Sequence, residues 1–485
     1  MALPQEILDG YEMTIGIECH VQLATTSKLF SGADNDAREK APNTATSPID
    51  FGLPGMLPVL NKQAIVLAAR AGKALNSEIA HVSRFDRKHY FYPDLPKGYQ
   101  ISQMYQPIII GGHVDAPLID GDKVHVRIHH AHLEEDAGKL THHGTYSLVD
   151  LNRAGTPLIE IVSEPDIHSA AGAKAYATEL HRLMTYAGVT LGNLYHGNMR
   201  FDVNLSVAKK GASELGTRAE VKNLNSFRSV EKAAEYEFER QVEILEKGEK
   251  VIQETRGWND ATGKTTSQRS KEDAQDYRYM PDADIPPVVL TDEVIAEMQA
   301  DVPALPNTYR EAWSTLGLDR SVIESLLSTQ SYAVLISQIQ QSFDDDAARR
   351  VAHWFSSAVA QSGEEEAIVA SNFVPEGYGE LAEMVEKNEL SSTAAKEVFQ
   401  ELLTSTKTPR DIAESKNLLQ VSDESAILTI VQEVLADPAS AQSIADIKAG
   451  QEKAIGFLVG QVMKKSQGKA NPALAQKLIR QELSA

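Results

Sequence analysis

Residues 12 to 24 alternate strictly. Met13, Ile15, Ile17, Cys19, Val21 and Leu23 are apolar, and Thr14, Gly16, Glu18, His20 and Gln22 between them are polar or small. Successive side chains of a strand point to opposite faces, so this run predicts a half-buried strand with one polar face. Glu18 and His20 then project side by side. Cys19 falls on the apolar face and reads as core rather than as a nucleophile. It is the sole cysteine, which excludes an internal disulfide framework and any multi-cysteine zinc site.

The same period returns in Arg200-Phe-Asp-Val-Asn204, which sets Arg200, Asp202 and Asn204 on one polar face. From Ile101 to about Ile167 the pattern is mostly short strands and turns. Helical periodicity breaks in at about 63–76, with Ala64, Leu67, Ala68, Ala71 and Leu75 on one stripe, and at about 170–187, stopped by Gly188. The polar turn Lys222-Asn-Leu-Asn-Ser226 leads into a third helix that runs to about Lys247. Phe51 to Leu60 is a loop punctuated by Gly and Pro, suited to a wall beside a pocket. Gly257 to Thr265 has five residues between its first glycine and its Gly-Lys pair. A Walker phosphate loop needs four, after a buried strand, so this segment reads as a hairpin turn.

Asp276 to Pro287 closes the strand-rich part, and its prolines with the return of helical spacing by Asp292 mark a boundary. Residues 347–360 and 392–403 are amphipathic, and Ile427, Ile430, Val431 and Val434 follow helical spacing until Pro438. A loop near Thr406 to Pro409 divides this helical half. A chain of 485 residues is too long for one core. The expected class is α+β: a large β-rich cradle domain over 1–293, an all-α helical domain over 294–407 and an α-helical tail over 408–485.

The formal net charge of −21 argues against non-specific nucleic-acid binding. It leaves room for a local basic face. From Lys448 to the end there are seven Lys or Arg against two Glu, which suits either a nucleic-acid contact or a solvated helical face. No apolar run reaches membrane-spanning length. The opening residues lack a basic region followed by an apolar one, so a cytoplasmic protein without a secretory leader is expected.

The densest chemistry lies between His129 and Asp166, which holds five histidines and many carboxylates. Glu160 sits inside Leu158-Ile-Glu-Ile-Val162, otherwise a buried strand. A carboxylate so placed is costly unless something pairs it, and a divalent ion is one such partner. Hard oxygens plus one imidazole suit Mg²⁺ or Mn²⁺ better than zinc. The histidines at 129, 130 and 132 also fit plain exposed strand positions. Phe85 to Asp94 interleaves cations with aromatic rings, which suits a nucleotide or RNA end, or a packed surface loop.

Several long motifs resemble, in order and over essentially the full length, the B-subunit family of aspartyl/glutamyl-tRNA amidotransferases. They are Gly-Ile-Glu-Cys-His20, Phe-Asp-Arg-Lys-His-Tyr-Phe-Tyr-Pro-Asp94, His-Leu-Glu-Glu-Asp-Ala-Gly-Lys139, the run Val149 to Asp166, Lys-Asn-Leu-Asn-Ser-Phe227, Asp-Tyr-Arg-Tyr-Met-Pro281 and Gly-Phe-Leu-Val-Gly-Gln-Val-Met463. The resemblance implies ATP-dependent phosphorylation of the side-chain carboxylate of Glu-tRNA(Gln) or Asp-tRNA(Asn). Amidation then follows, using ammonia from a partner amidase subunit in a heterotrimer with a small third subunit. It implies ATP and Mg²⁺, with the ion on His20, Glu135 and Glu160 and with Glu18 close by. Glu134 is the alternative to Glu135, since a short strand or a bulge presents either. Lys88 is expected at a phosphate, with Asp202, Asn204 and Lys222 in matching nucleotide-site segments, and Lys464, Lys465 and Lys469 at the tRNA. None of the five histidines is expected to touch the ion.

Many members of that family carry cysteine pairs that bind zinc around the Gly-Leu-Pro-Gly loop. Here the corresponding places read Leu-Phe-Ser-Gly-Ala33 and Ser-Pro-Ile-Asp50, so no structural zinc is expected. No amidase signature is present, so ammonia is expected from the partner. The rival readings are a non-catalytic tRNA-binding scaffold and a stand-alone metal hydrolase.

Overall fold

A computed structural model describes residues 3–270, 276–362, 374–420, 424–448, 451–466 and 470–484. The chain divides into two compact units, Met1–Pro306 and Asn307–Ala485.

The first unit is built on a ten-stranded sheet. Its strands are β1 (Tyr11–Gln22), β2 (Glu78–Ile79), β3 (Ile109–Ile110), β4 (His113–Pro117), β5 (Lys123–Glu135), β6 (Pro157–Ser163), β7 (Met199–Lys209), β8 (Ala219–Leu224), β9 (Glu254–Asn259) and β10 (Lys264–Ser270). The spatial order is β10-β9-β8-β7-β1-β6-β5-β3-β2, with β4 attached to β5. The alternating run is therefore the central strand. Ile15, Ile17, Cys19, Val21 and Leu23 are all buried, each contributing roughly 1.5–3 kcal/mol where the side chain is large. The expected turn at 257–265 joins β9 to β10 as a hairpin.

Three helices, α1 (Lys62–Ala74), α2 (Ala170–Tyr186) and α3 (Phe227–Glu246), share one core with the apolar side of this sheet. Each starts on a side-chain cap that satisfies a free backbone N–H. Asn61 accepts from Gln63 N, Ser169 from Gly172 N and Ser226 from Ser229 N. A small sheet of Asp86–His89, Tyr99–Ser102 and Met280–Pro281 brings the two aromatic-rich motifs together.

The segment without cysteines is pinned by a buried ion pair. Lys28 Nζ lies 2.9 Å from Asp50 Oδ2, with both side chains almost fully buried. Lys28 also donates to Leu151 O, and Asp50 accepts from Ser47 N. Gly155 adopts φ +80° beside them, where a Cβ would stand 2.7 Å from Asp50 Oδ1, so only glycine fits.

In the second unit, Trp313, Tyr332, Phe355, Tyr378 and Phe399 are buried among helices, with Phe355 edge-on to Phe399 at 5.0 Å. Helix Pro409–Ser415 packs on helices Pro375–Glu386 and Ser392–Leu402 and buries Ile412 and Ala413. The expected boundary at 408 thus falls in front of a helix that packs on upstream neighbours. A separate core joins α4 (Glu424–Leu435), α5 (Ile455–Lys465) and α6 (Pro472–Ser484) through Ile427, Val431, Leu458, Val462, Leu478 and Ile479. Among the described residues, no helix is long and apolar enough to cross a membrane.

Candidate metal and phosphate site

Register across the sheet assembles the site. His20 of β1 stands opposite Glu160 of β6 and Arg200 of β7. Glu160 stands opposite His132 of β5, with Glu134 two residues further along. Glu18 stands opposite Asp202, and Asn204 opposite Glu220 of β8. Period-two alternation then puts Glu18, His20, His132, Glu134, Glu160, Arg200, Asp202 and Asn204 on one face.

Two neighbouring clusters result. In the first, His20 Nε2 lies 3.4 Å from Glu134 Oε1 and 3.8 Å from Glu160 Oε2. His132 Nε2 lies 3.1 Å from Glu160 Oε2 and 3.7 Å from Glu134 Oε2. Burial pulls the His20 imidazole pKa down, but hydrogen bonding to Glu134 and the charge of Glu160 outweigh it and raise the value to about 9. His132 is raised to about 10 by the same contest. Burial likewise opposes ionisation of Glu134 and Glu160, and the two imidazoles hold both carboxyls below the ordinary range. One ligand atom each from His20, Glu134 and Glu160 falls within 4.8 Å of the others. Two carboxylates and an imidazole in that arrangement fit a hard divalent ion.

In the second cluster, Asn204 Nδ2 donates to Glu18 Oε1 at 3.0 Å. Lys222 Nζ reaches Asp202 Oδ2 at 3.0 Å and Glu220 Oε1 at 2.8 Å. Burial raises the Glu18 carboxyl pKa, and the charges of Glu160, Glu220 and Asp202 raise it further. Glu18 and His20, side by side on one strand face, thus serve adjacent clusters. The expected residues Asp202, Asn204 and Lys222 are brought together with Glu18.

Glu135 is not brought into the first cluster. It lies on the other face, paired with Lys97 and accepting from Ile101 N at 2.9 Å. Glu134 takes the place expected for Glu135. The reason is an extra residue in β5. Val162 pairs with His130 but Ser163 pairs with Ile128, so His129 is bulged. Before the bulge, Val126 and Ile128 face the core; after it, Ala131 and Leu133 do. The parity of the strand switches, and the even-numbered Glu134 emerges on the polar face.

His132 touches both carboxylates from beside the group formed by His20, Glu134 and Glu160. Glu220 and the tyrosines of the Asp276 motif join the site without having been expected there. Lys88 Nζ lies 4.8 Å from the Tyr277 ring, and Tyr277 meets Tyr279 edge-on at 6.2 Å. Burial raises the Tyr279 hydroxyl to about 12, with the charges of Glu134 and Glu160 contributing. Lys88 thus lies over the ring beside Tyr279, the tyrosine that feels the charges of the first cluster. In the tail, Lys464 is exposed, while Lys465 Nζ is 2.6 Å from Glu433 Oε2. Lys469 lies outside the described residues.

A model of the GatB/GatE catalytic domain matches residues 13–296, and a model of the GatB domain matches residues 336–483. The B subunit of the aspartyl/glutamyl-tRNA(Asn/Gln) amidotransferase of Persephonella marina is 45% identical, over 98% of this chain and 99% of its own length. The proteins of that name from Lachnospira eligens and Geotalea uraniireducens are 43% and 44% identical, each over 98% of this chain and 100% and 99% of their own lengths. Matched by the family's models in both units and by relatives from end to end, the chain belongs to the GatB/GatE family.

Proposed function

We propose that this chain is the ATP-dependent kinase and transamidase subunit of a tRNA-dependent amidotransferase. The observation that carries the reading is the convergence of His20, Glu134 and Glu160 from three separate segments onto one sheet face. A free carboxylate is a poor acceptor for ammonia, because oxide would have to leave. Transfer of the ATP γ-phosphoryl group to the side-chain carboxylate of Glu-tRNA(Gln) or Asp-tRNA(Asn) gives an acyl phosphate and ADP. Ammonia then attacks the acyl carbon, phosphate departs, a proton is released, and the amide remains on the tRNA.

Phosphoryl transfer asks chiefly for positioning and charge neutralisation. His20, Glu134 and Glu160 would hold Mg²⁺, with His132 orienting Glu160. The ion, when bound, supplies positive charge to the phosphoryl oxygens. Lys88 and Lys222 add fixed cations, while Asp202 and Glu220 hold Lys222 in place and Asn204 holds Glu18. Ammonia comes from a partner amidase subunit, with a small third subunit completing a heterotrimer in the cytoplasm. Residues 408–485, through Lys464, Lys465 and Lys469, would contact the tRNA by shape and charge.

The test is ATP turnover dependent on misacylated tRNA in the assembled complex. The Glu134→Gln, Glu160→Gln pair should abolish it while tRNA binding persists. Undiminished turnover would leave only the scaffold reading. ATP hydrolysis by the isolated chain without tRNA would point instead to a hydrolase.

A further inference from the structure

The strand that carries Glu134 bears a second set of ligand-type side chains near its other end. β4 and β5 pair antiparallel with Asp115 opposite His125 and His113 opposite Arg127. His113, Asp115 and His125 therefore share one face of this ribbon. His125 Nδ1 lies 2.7 Å from Asp115 Oδ1. The His113 and His125 rings are 5.0 Å apart between centroids. One ligand atom from each of the three residues falls within 4.8 Å of the others. At about 3.3 Å per residue, His125 stands on the order of 30 Å from Glu134 along β5, so the set is separate from the site described above.

We propose that His113, Asp115 and His125 form a binding site for a first-row transition ion of the Zn²⁺ class. Two imidazole nitrogens against one carboxylate oxygen suit borderline ions such as Zn²⁺ and Co²⁺, whereas Mg²⁺ favours sets in which oxygen predominates. The three side chains crowd one patch of the ribbon. Asp115 serves His125 and Lys123, whose Nζ is 2.7 Å from Asp115 Oδ2. His113 is pressed against His125 with no side-chain hydrogen bond of its own among the described residues. A shared ion would turn two crowded imidazoles into a chelate, with water in the remaining positions. It would also add a side-chain tie between β4 and β5, beside the packing of α2 on β4. Lys123 would compete with an ion for Asp115, which gives the proposal a specific test.

The experiment titrates the tag-free full chain with Zn²⁺, in a Glu134→Gln background that disables the other cluster, and follows Co²⁺ by its visible absorption. His113→Ala and His125→Ala should each weaken binding by about tenfold or more. Lys123→Ala should tighten it by removing the competitor. The three side chains lie on the outer face of the ribbon, opposite the buried Val114, Ala116 and Val126, and unchanged far-ultraviolet circular dichroism would verify that the fold tolerates the changes. Equal affinity and stoichiometry in the parent and both histidine variants would overturn the proposal. So would weaker binding in Lys123→Ala.

Discussion

Glu134 and Glu135 are consecutive in the chain and face opposite sides of the same sheet. Glu134 sits against the His20 and His132 imidazoles. Glu135 is clamped by Lys97 and the backbone of Ile101, tying strand Tyr99–Ser102 to the end of β5. The bulge at His129 decides which carboxylate does which task.

Substituting the two should therefore separate chemistry from stability. Glu134→Gln should lower Mn²⁺ affinity and tRNA-dependent ATP turnover by about a hundredfold, as loss of a direct metal ligand at a phosphoryl-transfer site would. Glu135→Gln should leave Mn²⁺ affinity near that of the parent. It strands a buried Lys97 charge, at a cost of about 3–5 kcal/mol, read as a fall of several degrees in melting temperature. A Glu135→Gln variant that melts normally but fails to bind Mn²⁺ would reverse the assignment.

The sequence makes β1 legible because half-burial imposes a strict period, and Ile15 to Leu23 obey it. It also makes Glu160 legible, as a charge inside an apolar run. It does not resolve the choice between Glu134 and Glu135. From Ala131 to Glu135 every residue of β5 is buried, on both faces, so alternation of polarity vanishes where it is needed. Extrapolating from the buried Val126 and Ile128 would even put Glu135 on the polar face. His132 is hidden for the same reason. Glu220 carries a usable signal, since Glu220 and Lys222 alternate with Ala219 and Val221, but that run is short and its register breaks before Leu224.

Lys28 and Asp50 should behave as a structural pair with a pH signature. Asp50→Asn leaves Lys28 buried without its counter-charge, so at neutral pH the variant should melt well below the parent, by about 3–5 kcal/mol of stability. Burial already lowers the Lys28 pKa below its usual 10.5, against the opposing charge of Asp50. Removing Asp50 lowers it further. Between that depressed value and 10.5 the unfolded chain holds the proton and the folded chain does not, so stability rises with pH there. The deficit of Asp50→Asn should shrink as pH climbs towards 10.5. Melting curves of parent and variant from about pH 7 to about pH 10 check this. A deficit that stays constant or grows would show that packing around residue 50, rather than the stranded charge, dominates.

Lys88→Met should act on the phosphate and not on the metal. The ammonium rests over Tyr277, and cation–π contacts at partly exposed sites contribute about 0.5–1 kcal/mol, so the fold should tolerate the change. The KM for ATP should rise by about tenfold, roughly 1.4 kcal/mol of phosphate binding, with Mn²⁺ affinity unchanged. Lys88→Arg should recover part of the loss. Loss of Mn²⁺ binding in Lys88→Met would mean that the lysine organises the carboxylates instead.

The tail prediction depends on where the chain is cut. Ending it at 407 removes Ile412 and Ala413, which are buried against helices Pro375–Glu386 and Ser392–Leu402, and would confuse unfolding with lost binding. Ending it after Gln420 removes α4, α5 and α6, whose core is their own, together with the short helix Ala441–Lys448 that packs on them. That truncation should keep the remaining helices folded and weaken tRNA binding. It should also flatten the dependence of affinity on salt, because each lost phosphate contact lowers the slope by nearly one. The charge available is smaller than composition suggests. Lys465 is paired with Glu433, and Lys477 lies 3.6 Å from Glu424, whereas Lys464, exposed like Lys465, has no ion pair among the described residues. Lys464→Ala alone should therefore reduce the salt slope more than Lys465→Ala. Equal tRNA affinity and equal salt slope in the full chain and the truncation would reduce the basic tail to a solvated helical surface.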